Sequence, residues 1–209
     1  MKLYNFEIAP NPRRVKLYLQ YKGIEIDTET VDIRAREQFT DEFKAINSFC
    51  TVPTLVLDNG DTLIDAVSIC LYLESLHPEK PLFGSTPLEQ AQVLGWDHRI
   101  FTDGLSAVAE ILRNQGDMFK GRSLPGQIGL EQIPALVPRG KKRLQGFFAN
   151  VEQHMQGRDY LVGEQLSFAD IDFLVVCDFA GWVAEKIPEE CVNLQALYQR
   201  AGKAVGEIQ

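Results

Sequence analysis

The spacing of apolar and polar residues follows two different patterns along the chain. The first pattern, which mixes strand-like and helix-like segments, covers residues 1–77. Short runs of branched or alternating apolar residues, typical of strands, are separated there by stretches with helical spacing. Pro12 suits the first turn of the first helix, and Gly23 suits its end. The turn Asp58-Asn59-Gly60 between two strand-like runs predicts a hairpin. The predicted order is βαβαββα, which gives a mixed sheet of four strands.

The second pattern, from about residue 88 onward, contains no convincing strand. Residues 79–87 contain two prolines and a glycine, directly follow Pro78, and are predicted to form a linker. A Gly/Pro-rich break over residues 121–140 separates the first two helical stretches of the part that follows. We therefore expect an α/β domain at 1–78 and an all-α helical domain at 88–209. The helical stretches lie near 88–119, 139–157, 168–185 and 193–205.

Composition narrows the class of protein. The chain has 209 residues, 45% of them hydrophobic and 24% charged, which are ordinary values for a globular protein. A net charge of −8 argues against nucleic acid or an anionic membrane as partner, because phosphate binding needs clustered cations. Neither a signal peptide nor a membrane span is predicted. The four cysteines and three histidines lack metal-site spacing, so we expect no metal. A disulfide framework is improbable in a chain of this size, so we expect a reducing, cytoplasmic location.

One polar pair in the helical part is predicted to serve folding. Ser167 is expected to cap a helix, and Asp170, three residues later, can bond back to the N–H of Ser167. Leu166 and Ile171 flank this pair as a hydrophobic staple. We therefore exclude Ser167 and Asp170 from the predicted site.

The run Thr51-Val52-Pro53-Thr54 gives two conflicting structural signals. The run reads as the start of a strand, yet proline gives no N–H to a sheet ladder. A cis bond costs only about 0.5–1 kcal/mol before proline. A cis Val52–Pro53 bond would turn the N–H and C=O of Val52 outward, where they could pair with the main chain of a ligand. The alternative is a plain loop proline.

Three stretches together resemble the cytosolic glutathione transferase family, most closely its bacterial theta- and nu-like branches. Residues 47–73 read N-x-x-x-x-V-P-T-L-x-L-D-N-G-x-x-L-x-D-A-x-S-I-x-x-Y-L. Residues 9–24 look like the first helix of that family, and residues 160–171 like its later capping segment. The resemblance implies a thioredoxin-like N-terminal domain with a cis-proline at Pro53, followed by a helical domain. It also implies a homodimer.

The resemblance implies glutathione as co-substrate. Val52 and Pro53 would form the docking edge for its main chain, and Asp65 would meet its ammonium group. Its γ-glutamyl carboxylate would sit at the start of the helix near Ala66, where N–H groups and the helix dipole favour an anion. Gln38 and Thr51 match more loosely, Gln38 where the family reaches the glycine end of glutathione. Simple N-capping is the alternative role for Asp65.

A transferase must stabilise a thiolate, which takes about 2 kcal/mol to bring a thiol pKa from about 8.5 to near 7. One hydrogen bond to the charged sulfur contributes about 1.5–3 kcal/mol, so one donor at a helix start suffices. Asn11 is our predicted donor, with Arg13 and Tyr4 as other candidates. Asn11 is also expected to be the N-cap of the first helix, with Pro12 at its first position.

The predicted function is conjugation of glutathione thiolate to a small hydrophobic electrophile. Ala9 and Ala66 stand where the family usually has hydroxyl residues, and Cys50 stands where it commonly has glycine. Two alternatives therefore stay open. One is a glutathione-dependent disulfide reductase of the nu type, and the other is a nonenzymatic interaction protein on the same scaffold.

Overall fold

The computed structural model describes residues 1–208, which form two compact units. The first unit comprises Met1–Glu79 together with Lys120–Glu131, and the second comprises Lys80–Phe119 together with residues 132–208. The sequence did not indicate that 120–131 belongs with the first unit. The domain boundaries at 78 and 88 stay a prediction.

The first unit has the predicted βαβαββα order, and the predicted fold class is confirmed. The elements are β1 (Lys2–Asn5), α1 (Pro10–Lys22), β2 (Asp27–Thr30), α2 (Asp41–Ile46), β3 (Thr54–Val56), β4 (Thr62–Leu63) and α3 (Ala66–Leu76). The sheet has the strand order β2-β1-β3-β4, in which β1 pairs parallel to β2 and antiparallel to β3, and β3 pairs antiparallel to β4. A short 3₁₀ turn, Glu37–Phe39, precedes α2.

The core of the first unit lies between the sheet and helices α1 and α3. Leu3 and Leu55 face each other across β1 and β3 and are buried. A buried polar link joins the two helices, because Glu74 accepts from the Tyr18 hydroxyl and the Lys22 ammonium, each at 2.9 Å. These contacts join the C-terminal turns of the two helices.

The second unit is helical, as predicted. One long helical stretch is interrupted by a π-helical segment, Ile100–Leu105, in which Gly104 lets Val176 and Phe147 approach within about 3.0–3.2 Å of where a Cβ would stand. Gly140 gives similarly close packing of the helix Leu136–His154 on Ile111. The helices are α4 (Pro87–Arg99), α5 (Ser106–Gln115), α6 (Leu136–His154), α7 (Phe168–Gly181) and α8 (Val192–Ala204).

The predicted cap of α7 is confirmed. Asp170 is fully buried, and its carboxylate accepts from the Ser167 N–H at 2.8 Å and the Ser167 hydroxyl at 2.7 Å. Within residues 1–208 there is no helix with the length and apolar character needed to cross a membrane. The same residues contain no cluster of potential metal ligands.

Candidate functional site

The loop between α2 and β3 is organised by one buried side chain, Asn47. Its amide group donates to the Thr51 carbonyl at 2.9 Å and to the Thr54 hydroxyl at 3.0 Å, and its oxygen accepts from the Phe49 N–H at 2.9 Å. Asn47 is only 2% exposed. A buried amide with several partners holds a loop in one conformation, because each broken bond leaves an unsatisfied polar group.

This arrangement leaves the main chain of Val52 unpaired. The Val52–Pro53 peptide bond is cis, and the Thr51 carbonyl before it is occupied by Asn47 and Thr54. Among the described residues, neither the N–H nor the C=O of Val52 takes part in a hydrogen bond. Val52 is half-buried. A half-buried donor and acceptor side by side can pair with the main chain of an extended ligand.

The start of α1 differs from the prediction. Ala9, not Asn11, is the N-cap, with extended backbone angles and no side-chain hydrogen bond. The physical reason is the pair Pro10 and Pro12: two of the first three helical positions have no N–H, so little is left for a cap to satisfy. Asn11 is therefore free of capping. Its oxygen accepts instead from Arg14 Nη1 at 3.1 Å.

The amide NH₂ of Asn11 is consequently available to donate a hydrogen bond to a ligand. Because the oxygen faces Arg14, the NH₂ points away from it, and no hydrogen bond within residues 1–208 uses it. Asn11 is half-buried and lies in the first turn of α1. A partly desolvated donor at a helix N-terminus favours a negative charge.

The start of α3 is only partly available to a ligand. Asp65 is the N-cap, and its Oδ1 accepts from the N–H groups of Val67 and Ser68 at 2.8 and 3.3 Å. The Ser68 hydroxyl donates back to the Asp65 carbonyl at 2.9 Å. Ala66 is 1% exposed, so its own N–H is covered. The anion site expected around Ala66 is therefore largely used by the cap of the helix.

Asp65 itself remains open. The residue is exposed, and its second carboxylate oxygen has no hydrogen bond among the described residues. The two alternatives for this residue are compatible, since one oxygen caps the helix while the other is available to a cation.

Two buried amide oxygens in the first unit lack partners within residues 1–208. They belong to Gln38, which is 8% exposed, and to Asn5, which is 3% exposed and ends β1. Unsatisfied buried polar atoms are rare in folded proteins and often mark a site for a ligand or water. Gln38 was predicted from the sequence, and Asn5 was not, because nothing in its sequence context sets it apart.

All seven predicted site residues lie in the first unit: Asn11, Gln38, Thr51, Val52, Pro53, Asp65 and Ala66. Sequence reasoning missed Asn47, although this asparagine begins the N-x-x-x-x-V-P-T pattern. Cys50 has a left-handed backbone, φ 54°, which favours glycine. The resemblance implies glycine at this position, and a left-handed backbone is the conformation that glycine adopts most readily.

Two family models match the chain. The model described as "Glutathione S-transferase, N-terminal domain" covers residues 3–81, and "Glutathione S-transferase, C-terminal domain" covers 139–204. Glutathione S-transferase 2 of Saccharomyces cerevisiae is 30% identical over 96% of this chain and 84% of its own length. The chain belongs to the glutathione S-transferase family. The membership of this family that the sequence predicts is confirmed, and its branch stays a prediction.

Other members of the family are similar to this chain in sequence and in structure. A zeta-class enzyme of Euphorbia esula is 38% identical over 82% of this chain and 72% of its own length. The crystal structure of Gtt2 from Saccharomyces cerevisiae matches with a TM-score of 0.89 at 25% identity, covering 100% of both chains. A glutathione S-transferase domain-containing protein of Marinobacter aquaeolei matches at 0.87 and 27% identity, covering 97% of both.

Proposed function

We propose that this member of the glutathione S-transferase family binds glutathione, holds it as a thiolate and transfers it to a small hydrophobic electrophile. The observation that carries the proposal is the unpaired N–H and C=O of Val52 in a loop held by Asn47. A tripeptide offers a complementary donor and acceptor on its central residue. The names of the relatives, glutathione S-transferases of yeast and plants, support the choice of ligand.

The first unit offers groups for each end of glutathione. The free oxygen of the Asp65 carboxylate is proposed to accept from the ammonium of the γ-glutamyl residue. Gln38, with its unpaired buried oxygen, is proposed to contact the glycine end. Thr51 and Pro53 are proposed as binding residues because they flank Val52. Ala66 stays a prediction of the sequence resemblance, because its own N–H is covered.

Asn11 is proposed to donate its NH₂ to the thiolate sulfur. The oxygen of the same amide accepts from Arg14, which is 1% exposed, so the amide is anchored on the side away from the NH₂. A hydrogen bond to the charged sulfur contributes about 1.5–3 kcal/mol, which covers the roughly 2 kcal/mol needed for ionisation near neutral pH. The thiolate then attacks the electrophilic carbon, a C–S bond forms, and the leaving group departs with its electron pair.

Two measurements test the proposed function. Titration calorimetry with glutathione should give saturable binding, and chlorodinitrobenzene should be converted to its glutathione conjugate with release of chloride. Turnover of a glutathionyl disulfide without turnover of chlorodinitrobenzene would instead assign the disulfide reductase alternative. Absence of glutathione binding would contradict both enzymatic functions.

An Asn11→Ala variant tests the thiolate donor. We expect the pKa of bound glutathione, followed by the ultraviolet absorbance of the thiolate, to rise by about one unit or more, since one charge-assisted bond is lost. Asn59→Ala is a matched control in a surface turn of the same unit. An unchanged pKa in Asn11→Ala would remove Asn11 from the mechanism.

A nonenzymatic interaction role is the second candidate, and the start of α3 favours it. Ala66 is covered, and Asp65 occupies the N–H groups of Val67 and Ser68, so an anionic ligand finds few donors there. Calorimetry decides between the two candidates, because only the enzyme requires glutathione. The homodimer, the absence of a nucleic-acid partner and the cytoplasmic location stay predictions.

A further inference from the structure

Residues 121–130 form a closed loop, here called the strap, that belongs to the first unit although it stands in sequence between α5 and α6. The Gly121 carbonyl accepts from the N–H groups of Gly129 and Leu130 at 2.6 and 3.2 Å. Ser123 N–H donates to the Leu130 carbonyl at 3.1 Å. The two ends of the strap are thus tied together by its own main chain, so its shape does not depend on side-chain packing alone.

The strap touches the loop before Val52 through a glycine. A Cβ built on Gly126 would lie 2.2 Å from the Phe49 carbonyl oxygen and 3.1 Å from Thr51 Cγ2. Contacts below 3.0 Å essentially never occur for real Cβ atoms. Gly126 also has φ +69°, in the left-handed region. Only a residue without a side chain allows this approach of one backbone to another.

The loop is therefore supported on two sides. Asn47 holds the Thr51 carbonyl and the Phe49 N–H from inside, and the strap rests on the Phe49 carbonyl and the Thr51 methyl group. The next residue along the chain is Val52, whose main-chain groups are unpaired. A donor and acceptor that make no internal hydrogen bond keep their position only if their neighbours are held.

We propose that the strap positions the Val52 main chain for glutathione, with Gly126 as the positioning residue. The proposal rests on the proposed function for its ligand. It adds a second element, distant in sequence, to the binding of the glutathione main chain. Gly126 acts through Phe49 and Thr51 rather than on the ligand itself.

Gly126→Ala tests the proposal, and Gly129→Ala is its matched control. Both glycines lie in the strap at positive φ, +69° and +80°, so alanine strains the backbone at each. Around Gly129, however, nothing lies within 4 Å of the added Cβ. The two variants differ in the contact with the loop and share the strain. We expect Gly126→Ala to raise the glutathione Kd by calorimetry about tenfold, as for one lost main-chain hydrogen bond, and Gly129→Ala to leave it within about twofold.

Amide hydrogen exchange without glutathione separates this proposal from the proposed function. Gly126→Ala should speed exchange over residues 49–54, and Gly129→Ala should not. If the wild-type chain binds no glutathione, the proposed function fails, and the exchange comparison still judges whether the strap holds the loop. Equal effects of the two variants on Kd and exchange would overturn the positioning role.

The wild-type chain provides a measurement that does not depend on how the variants fold. Coupling between two elements is reciprocal, so a ligand that fixes the Val52 loop must also steady the strap. Saturating glutathione should slow exchange over residues 121–130 as well as 49–54. Slower exchange in 49–54 alone would overturn the proposal.

Discussion

Two helix N-termini in this protein, those of α7 and α3, each contain an aspartate. The two aspartates differ in how many carboxylate oxygens remain available to a ligand. At α7, Asp170 is fully buried, and its two oxygens accept from the Leu161 N–H, the Ser167 N–H and the Ser167 hydroxyl. At α3, Asp65 is exposed and uses one oxygen to cap the helix. The first carboxylate is fully used by the fold, and the second is half available.

The difference shows how a structural cap can be told from a binding residue. Asp65 is an N-cap, and Asp170 is the third residue of a capping box whose N-cap is Ser167. Each role follows from short spacing rules, and neither rule tells which carboxylate keeps an oxygen for a ligand. The burial of the side chain and the number of its oxygens that accept hydrogen bonds within the protein do distinguish the two aspartates. Burial also raises the pKa of Asp170 from its ordinary 3.8 to about 6, against the lowering effect of its hydrogen bonds from Leu161 and Ser167. We therefore expect changes at Asp170 to alter stability and changes at Asp65 to alter binding.

The largest effect is expected from Asp170→Ala. Three buried donors lose their acceptor, and each unsatisfied group costs about 1–3 kcal/mol, so the free energy of unfolding should fall by about 4 kcal/mol. Denaturant unfolding measures the loss. Asp103→Ala, which removes an exposed ion pair with Arg99 of 3.4 Å, is the control and should cost less than about 1 kcal/mol. A loss of similar size in both variants would contradict the role of Asp170.

The pH dependence of stability is expected to be the next largest effect. The pKa of Asp170 is raised in the folded state, so the folded chain binds this proton more tightly than the unfolded chain. The part of the stability that is linked to this proton is therefore fully present below pH 3.8 and is lost as pH rises through about 6. The difference in unfolding free energy between wild type and Asp170→Ala should grow by about 2 kcal/mol from pH 7 to pH 4. A difference that shrinks on acidification would show that the hydrogen bonds outweigh burial.

The third effect concerns binding. Asp65→Asn keeps a good N-cap, so unfolding free energy should change little. The charge that meets the glutathione ammonium is lost, and the Kd should rise about 10- to 100-fold, equivalent to about 1.5–3 kcal/mol. Asp61→Asn removes an equal charge from the nearby turn and is the control. If calorimetry gives the same Kd for Asp65→Asn and wild type, Asp65 is a cap and nothing more.

Much of the fold followed from local patterns. The strand and helix order of the first unit, the Asp58-Asn59-Gly60 turn and the Ser167–Asp170 cap were all predicted, because alternation, turn residues and capping spacing are short-range signals. The start of α1 was misplaced by two residues, since Pro10 and Pro12 both fit a first turn. The π-helical segment at Ile100–Leu105 depends on packing around Gly104, which no local pattern reveals.

The candidate site was less accessible to sequence reasoning. The predicted residues are together in the first unit, but the residue that holds the loop, Asn47, acts through bonds to positions four and seven residues away. The strap contact of Gly126 with Phe49 joins residues far apart in sequence. The cover over Ala66 likewise arises only in the folded chain. Short-range patterns in the sequence do not predict contacts between segments that are far apart along the chain.

The proposed binding of glutathione depends most on the unpaired main chain of Val52, and a nuclear magnetic resonance titration with glutathione tests this dependence directly. We predict that the Val52 amide resonance shifts with a saturating curve whose Kd equals the calorimetric value. The Ser167 amide, already bonded to Asp170, should stay in place. Saturable calorimetric binding that leaves the Val52 amide unmoved would contradict the account.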